Sequence, residues 1–326
     1  MGFTDTFKEN ITGINPENFE SRCLEVFNYQ FHECPPYTNY CNFLGKNPNN
    51  VKSLHQIPFL PIEFFKTHEV RSGKWKETKA FKSSGTTKTG RSVHFVKDLA
   101  FYKRLSKYTF EHSIGSLSGF QLLALLPSYQ QRGNSSLIEM VDFFIQSSKS
   151  ESGYFLESGE ELLNQLNKKE TKKLLIGVSY ALLDLAENHP QPLENILIME
   201  TGGMKGRRKE LTREDLHKRL RDAFEVESVY SEYGMTELMS QAYGKNGAFE
   251  FPKWARVLIR DINDPFCYLK DNHTGGINVI DLANLDSCSF IETKDVGRTS
   301  KSAFEVLGRF DNSDVRGCNL LIQRNI

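Results

Sequence analysis

A hydroxyl-rich segment at residues 82–92 is the first place where the sequence concentrates groups that could do chemistry. It reads KSSGTTKTGRS and combines serine and threonine hydroxyls, two glycines and several cations. The backbone N–H groups and hydroxyls of such a loop can surround phosphate oxygens, while Lys88 and Arg91 supply positive charge. The GxxxxGK[ST] pattern of a Walker loop is absent. The segment predicts a phosphate-binding loop, and a solvated Ser/Thr loop is the alternative.

A second candidate is the segment YSEYGMTE at residues 230–237, which follows a predicted strand. Ligands of open α/β sheets bind at the carboxyl ends of the strands. Thr236 and Glu237 could hold a phosphate oxygen and a hard cation there, because Mg²⁺ prefers oxygen ligands that include one or two carboxylates. An ordinary strand-to-helix turn with Glu237 exposed to solvent is the alternative.

The third candidate is a group of turns near the end of the sequence. These turns read TKDVGR at 293–298, GRFD at 308–311 and DVRGC at 314–318. An aspartate after a strand can accept both hydroxyls of a ribose, and arginines can bind phosphate or carboxylate with a fork of donors. Each turn by itself is weak evidence for a site.

The elements that must position these segments follow from hydrophobic periodicity. Apolar runs predict buried strands, and amphipathic stretches of about a dozen residues between them predict helices. Strands are predicted at 121–126, 174–178, 196–199 and 226–230, and helices at 18–30, 98–111, 137–147, 159–173, 180–187 and 212–224. Strands that alternate with helices indicate an α/β fold with a largely parallel sheet covered on both faces.

The pattern changes after Phe249, where turn signals recur without helices between them. Short strands are predicted at 255–260, 276–282, 289–293 and 303–307. We therefore expect two units, an α/β core at 1–248 and a β-rich subdomain at 249–326.

Composition excludes several classes of protein. The 326 residues carry 41 Lys+Arg and 41 Asp+Glu, a balance that disfavours nucleic-acid binding by phosphate neutralisation. The N-terminus has neither a secretory pattern nor an apolar run long enough to span a membrane. The six cysteines form no CxxC pair and no zinc-like spacing with histidine. We expect reduced thiols and a cytoplasmic location.

The candidate segments occur in a familiar order. The series SSGTTKTG, YSEYGMTE, TKDVGR and GRFD resembles the motif set of the acyl-adenylate-forming enzymes, which include acyl-CoA ligases, peptide-synthetase adenylation domains and luciferases. A closer resemblance, to the acyl-protein synthetase (LuxE) family, rests on IPFLPIEFFKTHEV, LPSYQQRGNSSLIEMVDFFI, TGGMKGRRKEL and VLGRFDNSDVRGCNLL. It implies a large adenylate-forming N-terminal-type domain with mostly parallel sheets and a β-rich C-terminal subdomain.

The resemblance also implies roles for individual residues, with ATP and Mg²⁺ as cofactors. The segment at 82–92 departs from the superfamily's SSGTTGxPK pattern at Lys88 and Thr89. Glu237 would bind Mg²⁺, and Asp295 would bind the ribose. Asp311 matches the superfamily's hinge position, which precedes the C-terminal lid. The implied ATP-binding residues are Ser83, Ser84, Gly85, Thr86, Thr87, Lys88, Gly202, Gly203, Met204, Tyr233, Gly234, Met235, Thr236, Asp295, Arg298 and Arg309.

The implied activity is ATP-dependent conversion of a carboxylic acid, a fatty acid in this family, to acyl-AMP. The acyl group would then pass to the Cys318 thiol, whose pKa Arg316 could lower, and from there to an acyl reductase partner. The chain ends 15 residues after Asp311, so we expect no mobile C-terminal lid. In this superfamily the lid carries a catalytic lysine, and here Lys88, Arg316 or a partner protein would take its place. The alternatives are a CoA ligase resembling phenylacetate-CoA ligase and a non-catalytic nucleotide-binding scaffold.

Overall fold

The computed structural model describes residues 2–83, 90–126, 133–155, 159–202 and 211–310. The helices are α1 Phe3–Glu9, α2 Phe19–Glu33, α3 Pro35–Phe43, α4 Phe64–Thr67, α5 Leu99–Ser113, α6 Ser136–Ser147, α7 Glu160–Leu166, α8 Ser179–Asn188 and α9 Arg213–Phe224. The strands are β1 Leu60–Pro61, β2 Lys79–Lys82, β3 Val93–Val96, β4 Gln121–Leu125, β5 Gly153–Phe155, β6 Lys173–Val178, β7 Ile196–Thr201, β8 Val229–Tyr233, β9 Ala242–Lys245, β10 Ala248–Glu250, β11 Ala255–Arg260, β12 Gly275–Asp281, β13 Phe290–Ser300 and β14 Ala303–Arg309.

Among the described residues, twelve strands form one sheet. Eleven follow the order β11-β12-β13-β14-β10-β9-β8-β7-β6-β4-β5, and β1 pairs with β13. The part from β5 to β8 is parallel. From β8 through β9, β10 and β14 to β11 the pairing is antiparallel. The predicted α/β class is confirmed, and the sheet, predicted to be largely parallel, is a mixed sheet whose parallel part runs from β5 to β8.

The parallel strands are buried on both faces because helices cover both sides of the sheet. Every residue of β4 (QLLAL) and β6 (KLLIGV) is buried. Neighbouring residues of a strand point to opposite faces. On β8, Ser231 contacts His217 of α9 while the next residue, Glu232, lies near Tyr102 of α5. Helices α5 and α9 therefore lie on opposite sides of the sheet.

The predicted boundary at residues 248 and 249 falls inside β10. This strand pairs with β9 on one side and β14 on the other, so backbone hydrogen bonding continues across the boundary. The four strands predicted after residue 249 are all present, and β13 is longer than predicted. The division into two units stays a prediction.

Two predicted elements needed correction. The helix predicted at 159–173 ends at Leu166, because the polar run NKKETK that follows supplies no apolar residue to continue its buried face. Gly159 is its N-cap and makes no side-chain cap bond, while Ser158 lies outside the described residues. The strand predicted at 226–230 begins at Val229, after Glu225 ends α9 in a left-handed conformation with φ 51°. This shift makes Tyr233 the last residue of β8.

Helix α9 begins with the side-chain cap that Thr212 and Asp215 predict from their types and spacing. Thr212 precedes the helix, and its Oγ1 accepts a hydrogen bond from the Asp215 N–H at 3.1 Å. Such a cap is worth about 1 kcal/mol. Within the described ranges, no helix combines the length and the apolar character needed to span a bilayer.

Candidate active site

The candidate site lies where β7 and β8 end side by side. The two strands run in parallel register, with Thr201 opposite Glu232. Gly202 follows β7, and the GMTE segment at 234–237 follows β8. Because the carboxyl ends of parallel strands share one edge of the sheet, the structure places two of the predicted segments next to each other.

Tyr233 connects the end of β8 to the β13–β14 pair. Its hydroxyl donates a hydrogen bond to Asp295 Oδ2 at 2.8 Å, and Arg309 Nε lies 3.7 Å from Asp295 Oδ1. Asp295 and Arg309 are direct cross-strand partners. Burial raises the pKa of Asp295, while the Tyr233 hydroxyl and the Arg309 charge act in the opposite direction. The structure thus brings together three predicted site residues that are far apart in sequence.

The ring of Tyr233 is fixed by other aromatic rings. Its centroid lies 5.7 Å from Phe249, 6.1 Å from Phe251 and 5.4 Å from Phe304. Offset and edge-to-face pairs at these separations contribute about 0.5–1.5 kcal/mol each. The packing holds the ring so that its hydroxyl reaches Asp295.

Glu237 is buried at the end of the same segment. Burial raises the pKa of its carboxyl, and a side-chain hydrogen bond with Ser92 opposes that rise. The Glu237 backbone oxygen accepts a hydrogen bond from Asn284 Nδ2 at 2.7 Å. Ser92 follows the 84–89 segment in sequence, so Glu237 lies beside the base of the predicted phosphate loop.

The base of that loop is a small hairpin formed by β2 and β3. The Ser83 N–H donates to the Ser92 backbone oxygen at 3.1 Å, and the Ser92 N–H donates to Ser83 Oγ at 3.0 Å. Glu139 of α6 ties the hairpin to the helices through Lys79 at 3.0 Å and Lys103 at 2.8 Å. The predicted loop residues Ser84, Gly85, Thr86, Thr87 and Lys88 lie outside the described residues.

His94 joins the hairpin to the 233–237 segment, a contact that the sequence analysis missed. Its Nδ1 lies 2.9 Å from the Thr236 backbone oxygen. Burial lowers the pKa of His94 to about 4, so the ring is neutral near pH 7 and donates through Nδ1–H. The position of His94 two residues after Ser92 is the feature of the sequence that could have indicated this role.

The remaining predicted residues fall into two groups. Gly202 has a positive φ of 70°, and its backbone oxygen accepts a hydrogen bond from Ser179 Oγ at 3.2 Å. Arg298 is exposed and pairs with Glu305 at 2.8 Å, whereas Arg309 is the arginine that lies near Asp295. The others lie outside the described residues, namely Gly203, Met204, Asp311, Arg316 and Cys318.

Two buried glutamates at the strand ends also escaped the sequence analysis. Glu200 of β7 lies 3.0 Å from Arg213 Nε and 3.7 Å from His217 Nε2. Burial would raise its pKa, but the hydrogen bond with His217 and the Arg213 charge bring the pKa below its ordinary value. Glu232 of β8 has a 2.5 Å hydrogen bond with Thr201 Oγ1, and burial raises its pKa to about 7.

Comparison with solved structures identifies the fold of this chain. No family model and no curated protein matches the sequence. The 2-hydroxyisobutyryl-CoA ligase, solved with 2-HIB-AMP and CoA, aligns with a TM-score of 0.65 at 13% identity over 90% of this chain and 74% of its own. ATP-bound MatB from Rhodopseudomonas palustris aligns with a TM-score of 0.53 at 17% identity, over 71% of this chain.

A third similar structure is O-succinylbenzoate coenzyme A synthetase (MenE) from Bacillus subtilis in complex with AMP. Its TM-score is 0.54 at 18% identity over 73% of this chain. The aligned region spans 47% of MatB and 50% of MenE, about half of each protein. The chain therefore has the fold of the adenylate-forming enzymes.

Proposed function

We propose that this protein activates a carboxylic acid with ATP, forming an acyl-adenylate and pyrophosphate. The observation that carries the proposal is the contact of Tyr233, Asp295 and Arg309 beside buried Glu237, at the carboxyl edge of the sheet. The fold is shared with proteins solved with ATP, AMP or an acyl-adenylate.

The chemistry follows from the charges in the site. A carboxylate oxygen of the acid attacks the α-phosphorus of ATP, and the bond to the bridging oxygen of the β-phosphate breaks. Positioning and charge stabilisation supply most of the catalysis for such a transfer. Asp295 would accept the ribose hydroxyls, and Tyr233 would lie against the adenine. Lys88 and the neighbouring hydroxyls of the 83–88 segment would stabilise the phosphate charge.

The residues present fit a magnesium ion held together with the nucleotide. Within the described ranges, no group of three or more His, Cys, Asp or Glu could form a metal site made of protein ligands alone. Mg²⁺ usually takes one or two carboxylates and completes its shell with phosphate oxygens and water. Glu237 supplies such a carboxylate next to the Ser92 hydroxyl. When bound, the ion supplies positive charge to the phosphates.

The second half of the proposal is a transfer of the acyl group to Cys318, as in acyl-protein synthetases. The thiolate attacks the acyl carbonyl, the bond to AMP breaks, and a protein thioester forms. This step rests on the resemblance of VLGRFDNSDVRGCNLL to that family. A fatty acid as substrate, an acyl reductase as acceptor and a cytoplasmic location belong to the same proposal. Transfer to CoA is the second candidate, which the names of the similar structures favour.

The first step is tested by exchange of labelled pyrophosphate into ATP with a panel of aliphatic and aromatic acids. We expect exchange that depends on one class of acid and falls on the order of a hundredfold in Glu237→Gln. Glu194→Gln, which changes an exposed carboxylate paired with Lys169, should exchange like wild type. A lack of exchange with every acid would contradict the proposal. The remaining interpretation would then be a non-catalytic nucleotide-binding scaffold.

The second step is tested by incubation with ATP and a labelled acid. Wild type should carry a label that hydroxylamine releases, and Cys318→Ser should carry none. Cys267→Ser is the matched control, because Cys267 is an exposed free cysteine. Equal labelling of wild type and Cys318→Ser would overturn the Cys318 assignment, and formation of acyl-CoA by both would establish the second candidate.

A further inference from the structure

Glu232 has a buried carboxyl that has no role in the proposed reaction. It is 9% exposed and belongs to β8, directly before Tyr233. Its Oε2 lies 2.5 Å from Thr201 Oγ1, the hydroxyl of the last residue of β7. Thr201 and Glu232 are direct partners in the parallel register. One hydrogen bond between side chains therefore joins the ends of the two strands that carry the candidate site.

The other carboxyl oxygen of Glu232 packs against the segment that follows β8. A Cβ built on Gly234 would lie 2.5 Å from Glu232 Oε1 and 3.6 Å from Gln241 Cγ. Gly234 does not have a positive φ, so space rather than backbone conformation requires glycine here. The carboxyl of Glu232 occupies the position where a side chain of residue 234 would begin. Its place thus sets the path of the 233–237 segment.

Among the residues that the structure describes, the groups that face Glu232 supply no positive charge. Thr201 faces it from β7, Tyr102 from α5 and Tyr243 from β9, while Glu200 lies on the opposite face of the sheet and acts on it only through its charge. In the described parts of the chain, Glu232 forms no ion pair with a lysine, arginine or histidine. Within the described ranges, an ionised carboxylate here would have the Thr201 hydroxyl as its hydrogen-bond donor and the buried Glu200 carboxylate across the sheet, which is unfavourable. The Thr201 hydroxyl donates to this carboxyl and by itself favours the ionised form, but burial outweighs it, so the neutral carboxyl is preferred and keeps the hydrogen bond.

We propose that Glu232 is a positioning residue of the candidate active site that, in its protonated form, holds the ends of β7 and β8 together. Loss of the proton places an unpaired charge between the strand ends and loosens the 233–237 segment, on which Tyr233 and Glu237 lie. Burial raises the pKa of Glu232 to about 7, so the change falls near neutral pH. The identity of the ligand, ATP, rests on the proposed function. The structural role of the proton on Glu232 does not depend on that function.

The test with ligand compares ATP affinity of wild type and Glu232→Gln between pH 6 and pH 8. Glutamine keeps the shape of the protonated acid and does not titrate, and the titration of ATP cancels in the ratio of the two dissociation constants. We expect this ratio, wild type over variant, to rise by up to about tenfold over the range. A ratio that stays constant overturns the proposal. Glu194→Gln is the control for the loss of an exposed carboxylate.

A second test needs no ligand and separates the two proposals. Amide hydrogen exchange of the peptide spanning 229–239 is followed in wild type and Glu232→Gln at pH 6 and pH 8. After correction for the intrinsic pH dependence, wild type should lose protection at pH 8 relative to the variant, while the peptide of β12 should not differ. Equal protection at both pH values overturns the role of Glu232. A positive result without any ATP binding would instead contradict the proposed function alone.

Discussion

Glu200 and Glu232 are two buried carboxyls on neighbouring strand ends, yet their surroundings give them opposite properties. Glu200 faces α9, where Arg213 and His217 pair with it and bring its pKa below the ordinary value. Glu232 faces α5, has Thr201 as its hydrogen-bond partner, and burial raises its pKa to about 7. Burial by itself penalises both charges, and among the described residues a cation faces Glu200 but not Glu232, which favours ionisation of Glu200.

The difference assigns separate tasks to the two faces of the sheet. On the α9 face, the ionised Glu200 fixes structure, because Ser179 Oγ also lies 3.3 Å from its Oε2 and bonds the Gly202 backbone oxygen. On the α5 face, Glu232 holds the 233–237 segment through its contact beside Gly234. We therefore expect the contacts of Glu200 to persist around neutral pH and those of Glu232 to change there.

The largest effect is expected for Glu200→Gln. This change leaves the guanidinium of Arg213 and the ring of His217 without the charge that pairs them. Breaking a buried ion pair from one side costs about 3 kcal/mol of the unfolding free energy. Urea denaturation at pH 7 measures it, with Glu194→Gln as an exposed control expected to change by less than about 1 kcal/mol. An unchanged midpoint would show that the pair does not stabilise the fold.

Glu232→Gln should change how stability depends on pH. Because the folded pKa of about 7 lies above the ordinary value of 4.5, the unfolded chain ionises first as pH rises. Wild type therefore loses up to roughly 3 kcal/mol between those two values, and the loss is complete above pH 7. The glutamine variant lacks this loss, so its stability relative to wild type rises over the window. Parallel pH curves for the two proteins would contradict the assignment.

Gly234→Ala tests the space beside Glu232. The new Cβ would lie 2.5 Å from Glu232 Oε1, so the carboxyl must move. We expect a loss of about 1–3 kcal/mol, as for overpacking elsewhere. In a Glu232→Ala background the same change should cost at least about 1 kcal/mol less, which a double-mutant cycle by urea denaturation measures. Additive effects would show that the two residues are not coupled.

The smallest effect is expected for Tyr233→Phe, which acts on the side of the site away from Glu232. The change removes the hydroxyl that donates to Asp295, while Arg309 stays near the carboxylate. One such hydrogen bond contributes about 1 kcal/mol. Thermal unfolding should show a correspondingly small decrease, with no change in the pH dependence that Glu232 imposes. If the pH dependence of stability disappears in Tyr233→Phe, Asp295 rather than Glu232 is the group that causes it.

Local sequence patterns predicted the elements but not the contacts between them. Continuous apolar runs identify β4 and β6, and Thr212 with Asp215 identifies the start of α9. The Tyr233–Asp295 bond joins residues 62 positions apart, and the order of strands that brings them together leaves no local signal. The helix predicted at 159–173 shows the opposite failure, since the local pattern predicted a longer helix than the buried face, which ends at Leu166, supports.

The buried polar groups were the hardest to predict. Glu232 reads as an ordinary polar residue of a strand, and its burial follows from α5, which packs on it from far away in sequence. His94 likewise gains its role only because β3 lies beside the 233–237 segment. Motif order predicted which segments meet, while the protonation states of the groups that hold them depend on neighbours that only the folded chain supplies.

The most direct test of the central claim follows an oxygen atom. If the carboxylate of the acid attacks the α-phosphorus, an acid labelled with ¹⁸O in its carboxyl group transfers one labelled oxygen to AMP when the acyl-adenylate is consumed. Mass spectrometry of the AMP should show one ¹⁸O per molecule formed. Unlabelled AMP, or ADP with the label in inorganic phosphate, would contradict acyl-adenylate formation.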